Sequence, residues 1–221
     1  DSTDVSNPFY QDNITSSISA NLTRDSRDLP IFPTSGGVIS YSPALAGGFL
    51  GGNRDFHKHD IVTSFYFPIF WRLALNVRSQ LGFVASYGPE SVPYQELYQP
   101  GGVDIFEGTM LRGYPDRSVG PQNRGEPIGG VAQLLFNAEI SIPIVPNQFY
   151  GLIFADAGNA WGSLDRISLT DMRRSAGFGI RIVAPVVGIM GFDFAWGFDR
   201  RRVDGQSVQM MTHFQFGPQF Y

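Results

Sequence analysis

The feature that most constrains this chain is a period of two in its hydrophobicity, sustained over long runs. In "AQLLFNAEISI" (132–142), Ala132, Leu134, Phe136, Ala138, Ile140 and Ile142 share one face, against Gln133, Leu135, Asn137, Glu139 and Ser141. In "MGFDFAWGFD" (190–199), Met190, Phe192, Phe194, Trp196 and Phe198 oppose Gly191, Asp193, Ala195, Gly197 and Asp199. "SAGFGIRI" (175–182) sets Ala176, Phe178, Ile180 and Ile182 against Ser175, Gly177, Gly179 and Arg181. A strand turns successive side chains to opposite faces, so these runs read as strands with one greasy and one polar side. "RLALNVRSQLGF" (72–83) repeats the pattern, and so does "MTHFQFGPQFY" (211–221), where Thr212, Phe214, Phe216 and Phe220 oppose Met211, His213, Gln215, Gly217 and Gln219. Segment 149–157 is mixed, because Asp156 falls on the same side as Leu152 and Phe154.

Two architectures produce such alternation. A soluble β-sandwich hides its apolar faces between two sheets. A membrane barrel turns them to lipid and encloses the polar ones. Here the apolar faces are nearly free of charge, and the polar faces carry Arg, Asp, Glu, Asn, Gln and many glycines. Segment lengths approach the 9–11 residues that a tilted strand needs to cross a bilayer. Aromatics gather near segment ends (Phe67, Phe70, Trp71, Trp161, Trp196, Phe198, Phe220 and Tyr221), as in an interfacial girdle. The expected fold is therefore all-β, an antiparallel transmembrane barrel, with the sandwich as a distant alternative. About nine strands are predicted, near 14–24, 36–46, 60–70, 72–85, 131–143, 148–158, 173–184, 187–199 and 208–221. Bacterial single-chain barrels have even strand counts, and the chain starts with Asp1 rather than Met, so it reads as a fragment or a processed form. Short joins at 143–148 and 184–188 predict periplasmic turns. Segments 86–130, 158–173 and 199–208 then fall on the outer side.

Other classes are disfavoured. A net charge of −4 and a pI near 5.3 argue against a nucleic-acid binder. No apolar run reaches the roughly 18 residues of a membrane helix. Cysteine is absent, which removes disulfides and thiolate metal sites. Lys58 is the only lysine and the other fifteen basic residues are arginine, a side chain suited to fixed, multiply bonded ion pairs.

The loop "MLRGYPDRSVGP" (110–121) is rich in turn residues, yet Arg112 and Tyr114 sit in it like side chains meant to reach something. "LRGYPDRSVGP" resembles the signature loop of the outer-membrane assembly-factor superfamily, whose core is [VIL]-R-G-[FY]. That superfamily takes in BamA-like insertases, their mitochondrial and plastid relatives, TamA-like proteins and two-partner-secretion transporters. "GGVAQLLFNAEISIPI", "FADAGNAW", "RSAGFGIRIVAPVVGIMGFDFAWGFD", "HFQFGPQFY" and the Asp-x-x-x-x-Pro-Thr-x-Gly turn in "TRDSRDLPIFPTSG" resemble further family segments, in family order from about residue 14 to the end. The resemblance implies a sixteen-stranded barrel of which this chain is the C-terminal portion, with POTRA domains upstream and not in this chain. It also implies that the loop folds into the lumen, where Arg112 meets the carboxylates of Glu139 and Asp156, with Gly113 and Tyr114 against the wall. Phe214, Phe216, Gly217, Phe220 and Tyr221 would form the C-terminal seam and signal. Pro218 departs from the family pattern and suits only an edge strand.

The implied function is insertion of nascent β-barrel proteins into the bacterial outer membrane, in contact with lipid and lipopolysaccharide and with periplasmic accessory lipoproteins. Polypeptide translocation through a two-partner-secretion or TamA-like barrel is the alternative. No enzyme activity, cofactor or metal is expected. His57 and His59 read as solvated loop histidines without a third ligand. Strand parity spreads Asp165, Asp171, Asp193 and Asp199 along the wall. Arg200, Arg201 and Arg202 fall in an outer loop, facing either solvent or lipopolysaccharide phosphates.

Overall fold

The computed structural model describes residues 14–104, 109–146, 148–184 and 188–217. Within them one antiparallel sheet dominates. Its strands are β1 (Ser17–Ser19), β2 (Leu22–Asp25), β3 (Gly36–Ala46), β4 (Phe56–Pro68), β5 (Ala74–Ser86), β10 (Ala132–Val145), β11 (Phe149–Trp161), β12 (Arg173–Ala184), β13 (Gly188–Gly197) and β14 (Met210–Gly217). Neighbours follow the order β1-β3-β4-β5-β10-β11-β12-β13-β14, and β2 also pairs with β3. β1 lies along Ala44–Ala46 and β2 along Val38–Tyr41, so the two are successive pieces of one interrupted strand. The sheet thus has nine positions, as the alternation predicts. Among the described residues no pairing joins the first strand to β14.

The burial pattern is inverted relative to a water-soluble fold. On β13, Asp193 is fully buried while its neighbour Phe192 is exposed, and on β14 His213 and Gln215 are buried while Phe214 and Phe216 are exposed. Ile153 and Phe178 are 55% and 49% exposed. Exposed apolar area on this scale needs an apolar solvent, since each buried methylene is worth about 0.8 kcal/mol. Phe178, Phe194 and Trp196 pack as a column on that outer face, and Phe192 packs on Phe214. This is a barrel wall, with lipid outside and polar side chains inside, and not a sandwich.

Two expectations need correction. β4 starts at Phe56, not at 60, so His57 and His59 are strand residues and not loop residues. Both join an aromatic cluster, with His59 stacked on Phe83 and hydrogen-bonded to the Tyr41 hydroxyl (2.7 Å). Their rings extend the alternation because an imidazole packs as an aromatic. Trp161 is buried and not part of the girdle. The outer end of β11 is overlaid by the next loop, which Asn159 ties down by donating to the Asp171 carbonyl (2.8 Å). Phe67, Phe70, Trp71 and Phe198 are exposed as a girdle requires, and Trp196 is half-buried. Phe220, Tyr221 and Pro218 lie outside the described residues.

The long β5–β10 connection lies on the concave side of the sheet. It contains the hairpins β6 (Gly102–Asp104) with β7 (Thr109–Leu111), and β8 (Gln122–Asn123) with β9 (Glu126–Pro127). β7 packs on β10 and β11, while β6 packs on β14.

Candidate functional site: an arginine locked inside the wall

The site is built on β10, β11 and β13, whose pleat aims every second side chain inward. Register sets Asn137 beside Asp156 on one flank and beside Arg78 on the other, so that three strands deliver polar groups at one height. Arg112, immediately after β7, enters this row and has no exposed surface. Its Nε donates to Asp156 Oδ2 (2.8 Å), its Nη2 to Asp156 Oδ1 (2.7 Å) and its backbone N–H to Asp156 Oδ2 (3.1 Å). The guanidinium therefore grips one carboxylate as a fork, which a lysine ammonium has no geometry to copy. Nη1 lies 2.5 Å from Glu139 Oε1 but is poorly aligned for a hydrogen bond, so that contact acts mainly through charge. Beneath the guanidinium, the Phe154 ring centroid is 3.4 Å from Cζ.

Polar-face groups that no motif marks also join the site. Asn137 Nδ2 donates to Asp156 Oδ1 (2.9 Å) and to the Met110 carbonyl (2.8 Å), stitching the wall to the loop backbone. Asp193 stands 3.6 Å from Arg112 Nη1 and is itself held by Arg181 (2.7 and 2.9 Å) and Gln215 (2.5 Å). With buried Arg78, the cluster balances three guanidinium groups against three carboxylates. A balanced, hydrogen-bonded set is the condition for keeping charge away from water. Parity already put Asp193 and Arg181 on the polar face. Asp193 therefore belongs to the cluster and is not simply spread along the wall, because parity does not fix height, which comes from the stagger between strands.

Gly113 adopts φ 85°, and a Cβ there would come within 2.6 Å of the Gly197 backbone nitrogen. The loop backbone thus lies directly against β13, an approach that only glycine permits. The Gly113 N–H donates to His213 Nε2 on β14 (2.9 Å). Tyr114 is buried. Its hydroxyl donates to the Arg174 carbonyl (2.7 Å) and accepts the Asp199 N–H (3.2 Å), coupling the lumen loop to the β13–β14 connection. There the Arg174 guanidinium pairs with Asp199, and Arg200, far from being solvated, is buried against Asp204.

A second hold lies at the other end of the loop. The Tyr98 hydroxyl donates to Asp60 Oδ1 (2.9 Å), and its ring covers Gly82, where a Cβ would sit 2.6 Å from Tyr98 Cζ. The Tyr98 backbone pairs with Gly130 in both directions (2.9 and 2.8 Å). Lys58 lies over the ring and bonds Glu96 (3.2 Å). Nothing in the sequence pattern singled out Tyr98. Gly82, a glycine on a polar strand face, was the available signal.

A wall that is greasy outside and charged inside, with a loop locked into its concavity, defines an outer-membrane β-barrel protein with an internal loop. The Omp85 superfamily domain matches residues 5–220, and the chain belongs to that superfamily. It is 28% identical over 214 residues to the outer membrane protein assembly factor BamA of Nitratidesulfovibrio vulgaris, covering 95% of this chain and 26% of that protein. A SAM50-like protein of Schizosaccharomyces pombe is 27% identical over 163 residues, 66% of this chain and 31% of its own length. A crystal structure of BamA from Haemophilus ducreyi lacking POTRA domains 1–3 superposes with a TM-score of 0.73 at 20% identity, over 90% of this chain and 42% of that one. The chain therefore spans about a quarter to a third of the length of these curated relatives.

Proposed function

We propose that this chain is the C-terminal wall of a larger barrel, carried with POTRA domains in one polypeptide, that folds and inserts β-barrel proteins into the bacterial outer membrane. The observation that carries the reading is the fully buried Arg112, forked onto Asp156 and charge-paired with Glu139. A loop pinned this way lies fixed against the inner wall. A fixed loop leaves the lipid face and the strand edge as working surfaces, which suits an assembly device better than a conduit. The relative named as an outer membrane protein assembly factor points the same way.

In this reading Arg112, Gly113, Tyr114, Glu139 and Asp156 hold the barrel in one shape. The last strand supplies a seam: among the described residues β14 has β13 as its one sheet-pairing partner, and its other edge would pair with an incoming strand by β-augmentation. Phe214 and Phe216 would keep that edge in lipid beside a locally thinned bilayer, with Gly217, Phe220 and Tyr221 completing it. The work is mechanical, with no covalent step. Nascent barrel proteins are the clients, periplasmic lipoproteins the accessory partners, and lipopolysaccharide the outer-leaflet neighbour. The test is insertion of a urea-unfolded barrel client by the full-length protein in vesicles. Arg112→Ala and Glu139→Gln should slow insertion at least tenfold while the barrel stays heat-modifiable on gels. Full-rate insertion by a folded Arg112→Ala protein would overturn the pin as the functional element.

A further inference from the structure

The β2–β3 turn, residues 26–35, lies at the opposite end of the wall from the Arg112 loop, the end shared with the 69–73 turn. Its base is tightly fixed. Asp28 Oδ1 accepts the Thr34 and Ser35 N–H groups (2.9 and 3.2 Å), its Oδ2 accepts the Thr34 hydroxyl (2.5 Å), and the Ser26 hydroxyl donates to the Gly37 carbonyl (3.0 Å). The tip does not point into the periplasm. It turns inward, and the Phe32 ring lies flat on Tyr150 of β11, with centroids 3.6 Å apart and planes 14° from parallel. Pro33 is buried.

Phe32 has φ 49°, a left-handed conformation that a bulky residue adopts only when its surroundings impose it. A hydrogen-bonded frame with a strained aromatic at its tip stores backbone strain to keep one ring in one place. There it lines a cavity of about 60 Å³ together with Pro30, Ile31 and Pro33 of the turn and with Met110 and Glu139 of the pinned-loop site. Tyr66, Asn76, Ser141 and Arg181 line its wall.

We infer that the 26–35 turn is a second closure of the lumen, a periplasmic floor set by Phe32 on Tyr150, separate from the Arg112 loop that closes it from outside. The floor shields the buried charges from bulk water and bars an extended chain from entering between these strands. It rests on the lumen assignment above and not on the assembly activity.

The chain contains no cysteine, so one introduced thiol reports one position. In the full-length protein on a cysteine-free background, Ser141→Cys places a thiol in the cavity wall. A bulky maleimide added from the periplasmic side should label it slowly. Phe32→Ala should raise the labelling rate at least tenfold, whereas Phe32→Tyr, which keeps the ring, should leave it slow. Should Phe32→Ala lose heat-modifiability, Tyr150→Leu removes the other half of the stack and should open the cavity equally. Unchanged labelling in a folded Phe32→Ala or Tyr150→Leu protein, or fast labelling in the parent, would overturn the floor. Client insertion is measured on the same vesicles: a parent that is protected yet inactive in insertion counts against the assembly reading and leaves the floor standing.

Discussion

The two ends of the lumen loop are held by opposite kinds of force. At the Arg112 end, a guanidinium with no exposed surface sits among Asp156, Glu139 and Asp193, and removing any one partner strands buried charge. At the Tyr98 end, a phenol ring lies between Gly82 and Lys58, its hydroxyl donates to Asp60, and its backbone pairs with Gly130. The first hold is all-or-none and demands one side chain. The second is spread over shape, backbone pairing and the contacts to Asp60 and Lys58, and tolerates erosion. The loop is thereby fixed in position at one end and in path at the other.

The largest effect should come from Arg112→Ala. Three carboxylates lose a shared cation, and breaking a buried pair costs about 3–5 kcal/mol. Protease should then cut the 109–121 segment in folded, membrane-embedded protein, where the parent resists. Arg112→Lys keeps the charge but loses the fork, and should cost about 1.5–3 kcal/mol, read as a lower unfolding temperature. At the other hold, Tyr98→Phe removes one hydrogen bond and should cost only about 1 kcal/mol, with the loop still protected. Gly82→Ala, by contrast, pushes a methyl into the Tyr98 ring and should expose the 94–100 segment to protease without freeing Arg112. Equal effects of Tyr98→Phe and Arg112→Ala would erase the distinction between the holds.

The smallest effect concerns pH. Burial alone would raise Asp28, but the Thr34 hydroxyl and the Ser35, Thr34 and Leu29 N–H groups hold its carboxyl down to about 2. Because the folded value is below the unfolded one, this contribution is fully present above about pH 4 and fades as pH falls toward 2. Between those values Asp28→Asn should narrow its stability gap to the parent.

Much of this was legible in the alternating pattern. The nine sheet positions, the inward side of Glu139 and the outward side of Phe178, Phe192 and Phe214 all follow from counting by two. Asp156 looked ambiguous because Leu152 and Phe154 share its face. In the structure that is the reason it works: Phe154 is the plate under the guanidinium. Three things were hidden. The height of Asp193 depends on inter-strand stagger, which no single strand encodes. The start of β4 at Phe56 was masked by histidines that pack as aromatics. The inward fold of Phe32 reflects a positive φ that only tertiary packing enforces on that residue type.

The central claim is that Arg112 and Asp156 act as one unit that locks the loop into the wall. A double-mutant cycle on unfolding free energy in lipid, using Arg112→Ala, Asp156→Ala and the pair, tests it directly. The account predicts strong coupling, with the double variant recovering about 2–3 kcal/mol relative to the sum of the singles. Additivity within about 0.5 kcal/mol would contradict it.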